Sequence, residues 1–432
     1  MLILYNVLQI LVLLLGAPLL LMNLLRPKRR ETFLHRLGWT ITKQVPPTSS
    51  IGSQRPVWIH ALSVGEILSA EPLVNALSKA LPGLPLVVSA STLTGMQTAQ
   101  RLFAGKVQSL FYFPYDLIFS VRHIAKEVNP RLVVIVETDI WPNFLRHFRH
   151  KRVPVMWVNA RLSISTVRGY RLLGGFSKKV LNYFTAVGAQ SQLDADRLFS
   201  LGLHAEKIHL TGNVKFDQPG TDAPVQEGNE LRRLMGIDAR RRIIILGSTH
   251  AGEEEIGLAV YADLKKKFSD LLLIVAPRDP GRADAVIALA RAMGLKPSAL
   301  SALSYDEKNG LIDILVVNTI GLLRRLYSIA DIAIVGGSLV KEGGHNPLEP
   351  AAYAKPILFG SDMSDFAAVA ELLEQGGGAK RVDGKLQLYQ ETETLLVDSA
   401  GRSLMGGCAL KVFQSNKGAV EKTVALITKA LQ

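Results

Sequence analysis

Short apolar runs rich in Val and Ile recur along the chain, and amphipathic stretches of helical length separate them. The first half contains the runs Val57–Ala61, Leu86–Ser89, Ser109–Phe113, Leu132–Val136, Val155–Asn159 and Ala186–Ala189. The second half contains Ile243–Leu246, Leu271–Ala276, Ile312–Val317, Asp331–Val335 and Pro356–Phe359. Strands joined through helices form parallel sheets with helices on both faces. The pattern therefore predicts an α/β protein with two doubly wound, Rossmann-like domains facing a cleft, and ligands at the carboxyl ends of the strands.

A run rich in Gly, Pro, Asp and Gln near 212–228 interrupts this alternation and indicates an interdomain linker. The 432 residues, of which 48% are hydrophobic, are enough for two full cores. We predict an N-terminal segment 1–25, a first domain 26–213, a linker 214–228, a second domain 229–412, and a C-terminal helix 413–432 that packs back toward the first domain.

The N-terminal segment Leu2–Leu25 is almost wholly apolar, and Arg26, Lys28, Arg29 and Arg30 follow it directly. Its length suits a membrane span, and the basic cluster behind it predicts that the following domain lies on the cytoplasmic face. A cleaved signal peptide would carry its charges in front. A buried core helix and a shallow interfacial anchor remain as alternatives.

The net charge of +13 predicts a polyanionic partner, which could be nucleic acid, anionic lipid headgroups or phosphorylated substrates. No module that combines aromatic and basic residues is recognisable, which disfavours nucleic acid. The single cysteine, Cys408, excludes an intrachain disulfide and fits a reducing compartment.

The stretch from Gly336 to Pro350 runs from a predicted strand into a predicted helix and contains four glycines. Asn346 is a good N-cap, Pro347 would be the first helical residue, and Glu349 would be the third. Free backbone N–H groups and the positive end of the helix dipole would then favour an anion. A tight, capped strand-to-helix turn is the alternative.

The common nucleotide motifs are absent, because neither the P-loop pattern nor the dinucleotide pattern of glycines occurs. Asp194 and Asp196 form a D-x-D pair of the kind that holds Mg²⁺. They lie within an amphipathic helical pattern, so we interpret them as a solvated helix face. No histidine has the spacing of a zinc site, and we predict no structural or catalytic metal.

Two acidic residues follow predicted strands of the first domain. Glu66 stands at a strand-to-helix corner, where it could take a proton from an attacking hydroxyl or merely compensate a helix dipole. Glu137 and Asp139 stand at a second strand end before Pro142, and could form a polar active-site wall or a capped turn.

Several cationic and hydroxyl side chains are candidates for binding phosphate. Arg161, Arg168 and Arg171 follow a strand of the first domain and suit lipid phosphates, although a solvated basic face is the usual meaning of such a run. Lys215 lies beside a glycine turn and could be a linker charge. Ser248 and Thr249 could be N-caps, and Arg278 at a strand end is a candidate anion clamp.

These motifs together resemble the membrane-anchored 3-deoxy-D-manno-octulosonic acid (Kdo) transferases of lipopolysaccharide synthesis. The matching segments occur in the family's order over nearly the whole chain: His60–Glu66, Glu137–Asn143, Asn159–Ser163 with Arg168–Tyr170, Gly212–Asp217, Leu246–His250, Pro277–Arg278 and Gly336–Pro350. The resemblance implies a GT-B architecture and transfer of Kdo from CMP-Kdo to the tetraacylated lipid A precursor (lipid IVA), with inversion and without a metal. It also implies an enzyme of the cell inner membrane.

The resemblance also assigns roles to residues at matching positions. Glu66 corresponds to the general base, and Glu137 to a second important acidic residue. Arg161, Arg168 and Arg171 would meet the phosphates of the acceptor lipid. The expected CMP-Kdo site in the second domain comprises Lys215, Ser248, Thr249, Arg278, Gly336, Gly337, Ser338, Gly344, His345, Asn346 and Glu349.

The chain departs from the family pattern on the donor side. Asp279 and Gly281 replace a His and a Glu, Asn318 and Leu322 replace two carboxylates, and Ser361 replaces a Pro. A divergent or non-catalytic anchored protein that binds a nucleotide sugar, and a nucleotide-sugar epimerase, are the alternative functions.

Overall fold

The computed structural model describes residues 1–16, 27–39, 41, 54–137, 140–217, 224–302 and 312–432. It divides into two compact units, Met1–Gln218 with Lys417–Gln432, and Pro219–Asn416. Each unit contains one seven-stranded sheet in which every pairing is parallel. The prediction of two doubly wound α/β domains is therefore confirmed. Within the predicted linker, Val214–Asp217 forms a 3-10 turn, and residues 218–223 lie outside the described ranges.

The first sheet has the strand order β3-β2-β1-β4-β5-β6-β7. Its strands are β1 Val57–His60, β2 Leu86–Ala90, β3 Ser109–Tyr112, β4 Leu132–Val136, β5 Val155–Ala160, β6 Ala186–Ala189 and β7 Ile208–Leu210. The helices before and between them are α1 Leu2–Leu15, α2 Pro27–Leu37, α3 Val64–Ala80, α4 Leu93–Phe103, α5 Ile118–Val128, α6 Pro142–His150, α7 Ile164–Leu172, α8 Gly175–Leu181 and α9 Gln192–Ser200.

The second sheet has the order β10-β11-β9-β8-β12-β13-β14. Its strands are β8 Arg242–Thr249, β9 Leu271–Pro277, β10 Pro297–Ala299, β11 Ile314–Val316, β12 Ile332–Val335, β13 Ile357–Phe359 and β14 Ala379–Arg381. The remaining helices are α10 Pro224–Met235, α11 Glu253–Lys265, α12 Ala283–Ala292, α13 Leu323–Leu326, α14 Leu348–Ala351, α15 Ala367–Gln375, α16 Gly384–Val397, α17 Ser399–Ser415 and α18 Ala419–Leu431.

The central strands are apolar on both faces because helices cover both sides of each sheet. In β1, Trp58 packs into one core with residues of α5 and α6. Its neighbours Val57 and Ile59 point the other way and pack with α3 and α4. Successive side chains of a strand alternate between faces, so a strand buried on both sides reads as a continuous apolar run. This is the pattern that makes these strands recognisable in the sequence.

Three strands were not predicted from the sequence, and all three are edge strands of three residues. β7, β10 and β14 lie at sheet margins, with the sequences IHL, PSA and AKR. Edge strands are commonly short and partly polar, which limits pairing with other chains. Their residues carry no apolar run that a sequence could reveal.

The last helix, α18, belongs to the first unit although it follows the second in the chain. Arg131 Nη2 donates to the carbonyl oxygen of Leu431 at 2.6 Å. The backbone N–H of Gly418, just before α18, donates to Asp217 Oδ1 at 2.6 Å. Asp217 lies at the end of the chain segment that forms the first sheet, and this hydrogen bond connects that segment to the start of the last helix.

Helix α1 contacts the first unit through its few polar side chains. Tyr5 Oη donates to Asp116 Oδ2 at 2.9 Å, and Gln9 Nε2 donates to Tyr5 Oη at 2.9 Å. Asn143 Nδ2 donates to Asn6 Oδ1 at 2.7 Å, and Asn6 Nδ2 donates back to Asn143 Oδ1 at 3.3 Å. Side chains three and four positions apart share a helix face, as Asn6 and Tyr5 do with Gln9, so α1 lies with this polar face against the unit.

The apolar side chains of α1 point away from the unit. None of its residues is buried, and its exposed side chains are Ile3, Leu4, Val7, Leu8, Ile10, Leu11, Val12, Leu13, Leu14 and Leu15. Within the described ranges, no helix combines the length and apolar character needed to cross a membrane. The described part of the predicted span Leu2–Leu25 forms the 14-residue helix α1. Residues 17–25 of that span lie outside the described ranges.

Candidate active site

The predicted catalytic carboxylates follow the two strands at which the first sheet changes direction. β1 and β4 are neighbours, and the sheet extends from them to β3 on one side and β7 on the other. Connections diverge at such a switch point and leave a crevice above the carboxyl ends of the two strands. Glu66 follows β1 and Glu137 follows β4, so the topology brings both carboxylates to the same edge.

Glu66 is the third residue of α3, and the backbone orients its carboxylate. Oε2 accepts a hydrogen bond from the backbone N–H of Leu62 at 2.6 Å, and the residue is only 6% exposed. The helix starts after Ser63, which has an extended backbone and makes no side-chain cap. A carboxylate in the first turn is also stabilised by the helix dipole. Glu66 is therefore a fixed anionic acceptor at the carboxyl edge of the sheet.

Glu137 directly follows β4, and Asn159 is the penultimate residue of the adjacent strand β5. Both have the left-handed backbone, with φ of +65° and +53°. Residues other than glycine adopt this region at a cost of about 1 kcal/mol or more. Asn159 Nδ2 donates to Glu137 Oε1 at 3.3 Å, and Asn159 Oδ1 accepts from the N–H of Val214 at 3.1 Å. The amide of Asn159 therefore links Glu137 to the segment that leaves the first unit.

Lys215 completes this cluster, since its Nζ lies 3.7 Å from Glu137 Oε1. The sequence interpretation placed Lys215 with the donor residues of the second domain, whereas the structure places it in the first unit as the counter-ion of Glu137. Thr138 and Asp139, which the sequence grouped with Glu137, lie outside the described residues.

Most of the expected donor residues lie at the switch point of the second sheet, where β8 and β12 are neighbours. Ser248 and Thr249 end β8, and Gly336 and Gly337 follow β12. The two strand ends approach so closely that a Cβ on Gly336 would lie 2.5 Å from the carbonyl oxygen of Ser248. Glycine is required there by space, in addition to the backbone freedom that Gly337 uses at φ +68°.

The loop amides after β12 are already bound to an internal anion. Glu253 is fully buried, and its Oε1 accepts from the N–H groups of Ser338 and Leu339 at 3.0 and 2.9 Å. Its Oε2 accepts from the N–H groups of Gly337 and His250 at 2.7 and 2.9 Å. The expectation that this loop offers free N–H groups to a ligand is therefore wrong for these positions.

The helix expected after Asn346 is a single turn, α14, which begins at Leu348 with Pro347 as its N-cap residue. Asn346 instead closes a local turn, because its Oδ1 accepts from the N–H of Leu348 at 3.1 Å. A helix of four residues has only a small dipole, since the dipole grows with the number of aligned peptides. Anion binding here must therefore depend on side chains.

The hydroxyl groups expected at the donor site have internal partners. Thr249 Oγ1 donates to Glu254 Oε1 at 3.0 Å, and Ser338 Oγ donates to the carbonyl of Val335 at 2.5 Å and accepts from the N–H of Gly360 at 2.7 Å. Both residues are fully buried. The N–H of Gly344 donates to the carbonyl of Gly337 at 2.9 Å. These residues maintain the shape of the loop.

Two histidines and an arginine form the polar surface of this loop. The Nε2 atoms of His250 and His345 lie 2.8 Å apart, and the rings stack at 5.1 Å. One Nε2 must therefore donate and the other accept, so the pair excludes a state in which both rings are protonated. Burial, the charge of Arg278 and the neighbouring His250 lower the pKa of His345 to about 4. Arg278 is exposed, and no described residue gives its side chain a hydrogen bond or ion pair.

We expect the ring of His345 to titrate with a midpoint near pH 4 in an NMR titration of the full chain, with His345→Gln used for assignment. The unfolded ring has a pKa of about 6.5, so between pH 6.5 and pH 4 the unfolded chain binds more protons than the folded chain. Stability should therefore fall as the pH is lowered through this window, and less so in His345→Gln. A midpoint near 6.5 would contradict the buried, cation-flanked environment.

Glu349, in the same loop, is partly exposed. Burial raises its pKa, while the charges of Arg324 and Arg278 and a hydrogen bond from Asn346 oppose that rise. A second carboxylate of the described loop 336–350 is that of Glu342, whose Oε2 lies 3.9 Å from His250 Nδ1. The cluster thus combines an exposed arginine with two hydrogen-bonded histidine rings and a carboxyl group.

The expected lipid-phosphate residues lie on and before α7. Arg168 and Arg171 are exposed and Arg161 is partly exposed. Arg171 Nη2 donates to Ser200 Oγ at 3.3 Å, which is a weak tether. The sequence prediction that this face is basic and accessible agrees with these positions, and binding of phosphate there stays a prediction.

Of the D-x-D pair in α9, Asp194 has a structural role and Asp196 is exposed. Asp194 is buried, and its Oδ1 accepts from the N–H of Leu162 at 3.0 Å while Oδ2 accepts from the hydroxyl of Ser191 at 2.6 Å. The interpretation of this pair as a solvated face is therefore wrong for Asp194. No cluster of three or more His, Cys, Asp or Glu side chains suited to a metal occurs among the residues that the structure describes.

Sequence reasoning missed His250, Glu253 and Asn159 as individual site residues. Three consecutive glutamates, Glu253 to Glu255, read as an ordinary acidic first turn, and nothing local shows that only the first two are buried. In the sequence, Asn159 was recognised only as the last residue of a predicted strand. A polar residue that ends a strand at the predicted switch point is the signal that could have found it.

Comparison with known proteins assigns the chain to a family. The family model described as 3-Deoxy-D-manno-octulosonic-acid transferase (kdotransferase) matches residues 31–218. The 3-deoxy-D-manno-octulosonic acid transferase of Haemophilus influenzae is 32% identical over 413 residues, which cover 95% of this chain and 94% of that protein. The protein of the same name from Bordetella pertussis is 32% identical over 377 residues, 85% of this chain and 86% of its own length.

Among solved structures, MurG of Acinetobacter baumannii aligns with a TM-score of 0.55 at 16% identity, covering 87% of this chain and 99% of that one. Similarity at this level of identity concerns the fold alone, and it confirms the predicted GT-B class. The nearly full-length relationship at 32% identity goes further. The chain belongs to the 3-deoxy-D-manno-octulosonic acid (Kdo) transferase family of glycosyltransferases.

Proposed function

We propose that this protein transfers Kdo from CMP-Kdo to the tetraacylated lipid A precursor, lipid IVA, in lipopolysaccharide biosynthesis. The observation that carries the proposal is the similarity, over almost the full length of both chains, to a protein named as a Kdo transferase. The placement of Glu66 at a sheet switch point supports it, because that is where ligands of doubly wound domains bind.

In the proposed reaction Glu66 is the general base. A hydroxyl oxygen of the acceptor attacks the anomeric carbon of Kdo from the face opposite the phosphate, and Glu66 takes the hydroxyl proton. The bond between the anomeric carbon and the phosphate oxygen breaks, and CMP leaves with both electrons of that bond. One displacement of this kind inverts the anomeric centre. Glu66 suits the role because a hydrogen bond from the backbone N–H of Leu62 holds its Oε2 atom in place.

On the donor side, charge develops on the departing phosphate, so cations and hydrogen-bond donors aimed at it favour the reaction. We assign this role to Arg278, with the hydrogen-bonded pair of His250 and His345 beside it. Glu349 is assigned to the ribose hydroxyls, for which a carboxylate is a good acceptor. Gly336, Gly337 and Gly344 let the backbone come close enough to form this surface.

We further propose that the protein acts at the cytoplasmic face of the cell inner membrane. The supporting observations are the outward-facing leucines, isoleucines and valines of α1 and the exposed Arg168 and Arg171. An apolar helix face with basic side chains nearby suits an interface rich in anionic lipid. The net charge of +13 acts in the same direction.

The test is mass spectrometry of the lipid after the full chain is incubated with CMP-Kdo and lipid IVA, with and without EDTA. We expect the lipid to gain one or more whole Kdo residues, at equal rates in both samples, because the leaving group carries its own phosphate and Arg278 supplies the charge. Unmodified lipid IVA would contradict the acceptor assignment. Loss of turnover with EDTA would contradict transfer without a metal.

A further inference from the structure

A basic groove of about 900 Å³ lies along α5 and α6 in the first unit. Its basic lining includes the arginines and lysines Arg122, Lys126, Arg146 and Lys151 and the histidines His147 and His150. The lining residues include no Asp or Glu, and no described residue forms an ion pair with any of these six side chains. Neither the candidate active site nor the predicted lipid-phosphate residues of α7 contribute to this groove.

Helix geometry does not account for all of this charge. Basic residues near helix C-termini are common because they offset the helix dipole, which explains Lys126, His150 and Lys151. Arg122 and Arg146 instead occupy the second turns of α5 and α6, away from both C-termini. Two arginines that face one groove repel each other unless an anion lies between them.

The surroundings of His147 reflect the excess of positive charge in the groove. The pKa of His147 is lowered by burial and by the charges of Lys151, Arg122 and His150. Every charged neighbour that affects this ring is therefore cationic or a histidine. Phosphate groups are the natural complement, because arginine binds them through paired N–H donors.

The groove also adjoins the apolar surface around α1. Asn143, which lines the groove, is the residue whose side chain exchanges hydrogen bonds with Asn6 of α1. Ile118, which also lines the groove, lies at the start of α5. It is 40% exposed, and its neighbour Phe119 is 60% exposed. Exposed apolar side chains thus lie next to a basic groove. A bilayer interface has the matching arrangement, because its apolar acyl region lies next to anionic headgroups.

We propose that the groove between α5 and α6 binds the phosphate groups of anionic bilayer lipids while α1 and Phe119 contact the acyl region. This inference rests on the membrane association proposed above, and it does not depend on the transfer reaction. The groove would hold the first unit in one orientation on the membrane, because α1 and the groove are linked through Asn143.

The test is co-sedimentation of the full chain with vesicles of phosphatidylcholine alone or mixed with phosphatidylglycerol, without CMP-Kdo. Each basic residue near an anionic surface strengthens binding about fivefold. The double variant Arg122→Gln/Arg146→Gln should therefore lose about thirtyfold in affinity for the anionic vesicles, and its binding to neutral vesicles should not change. Added salt should shrink the difference between the two proteins.

The matched control is Lys79→Gln/Arg101→Gln, which removes two exposed charges from α3 and α4 on the opposite face of the same sheet. We expect this control to lose less than about threefold, since it changes only the net charge. An unchanged preference for anionic vesicles in the groove variant, or an equal loss in the control, would overturn the proposal. Failure of the wild-type chain to bind neutral vesicles would instead contradict the membrane association by α1.

Discussion

Replacing Glu66 by glutamine is expected to lower the rate of Kdo transfer by a factor of about 10² to 10⁴, because general base catalysis contributes that much. Glutamine keeps the size of the side chain and an oxygen that can accept from the N–H of Leu62, so the fold should survive. The amide cannot take a proton from the acceptor hydroxyl. The measurement is the initial rate of lipid product formation, together with the melting temperature of the variant.

Glu71→Gln is the matched control, because Glu71 lies on the same helix and is partly exposed. Its Oε1 is 3.8 Å from Lys106 Nζ, and partly exposed pairs of this kind contribute about 0 to 1 kcal/mol. The control should retain nearly full activity and stability. Wild-type rates in Glu66→Gln with an unchanged melting temperature would remove Glu66 from the role of base.

Replacing Glu253 by glutamine is expected to destabilise the second unit by about 2 to 6 kcal/mol. Each carboxylate oxygen accepts two backbone N–H groups, and an amide nitrogen accepts none. Two buried donors would therefore lose their partner, at a cost of about 1 to 3 kcal/mol each. Denaturant unfolding measures this loss, and the probes can separate the units because all four tryptophans, Trp39, Trp58, Trp141 and Trp157, lie in the first one.

We therefore expect Glu253→Gln to shift the transition seen by far-UV circular dichroism while tryptophan fluorescence changes little. Glu255→Gln is the control two residues away, because Glu255 is exposed and accepts only from the N–H of Gly252 at 2.9 Å. That variant should lose about 1 kcal/mol at most. Equal losses in the two variants would show that the buried hydrogen bonds of Glu253 are not what holds the loop.

The strands that position the site were predictable because they are buried on both faces. β4 and β12 are continuous runs of Leu, Val, Ile and Ala, and their ends located Glu137 and Gly336 correctly. β7, β10 and β14 have no such run and were missed. A three-residue edge strand is defined by its neighbour's hydrogen bonds, which no local pattern encodes.

The chemistry of the glycine loop was harder to predict than its position. Four glycines and Asn346 suggested an open nest of N–H groups, whereas Glu253 from α11 occupies that nest. Glu253 begins the helix that follows a different strand, β8. Only the tertiary structure therefore shows that the amides of the glycine loop already have a hydrogen-bond acceptor. The same holds for Lys215, whose sequence position at the domain junction did not indicate its pairing with Glu137.

The polar face of α1 has a consequence for how the protein should be handled. Truncation of an apolar N-terminal segment is a common way to make such a chain easier to purify. Here it would strip Tyr5 from Asp116 and Asn6 from Asn143, and leave polar groups of the folded unit to water or to a neighbouring molecule. A shortened chain would therefore differ from the full chain at the start of α6 as well as in its affinity for lipid.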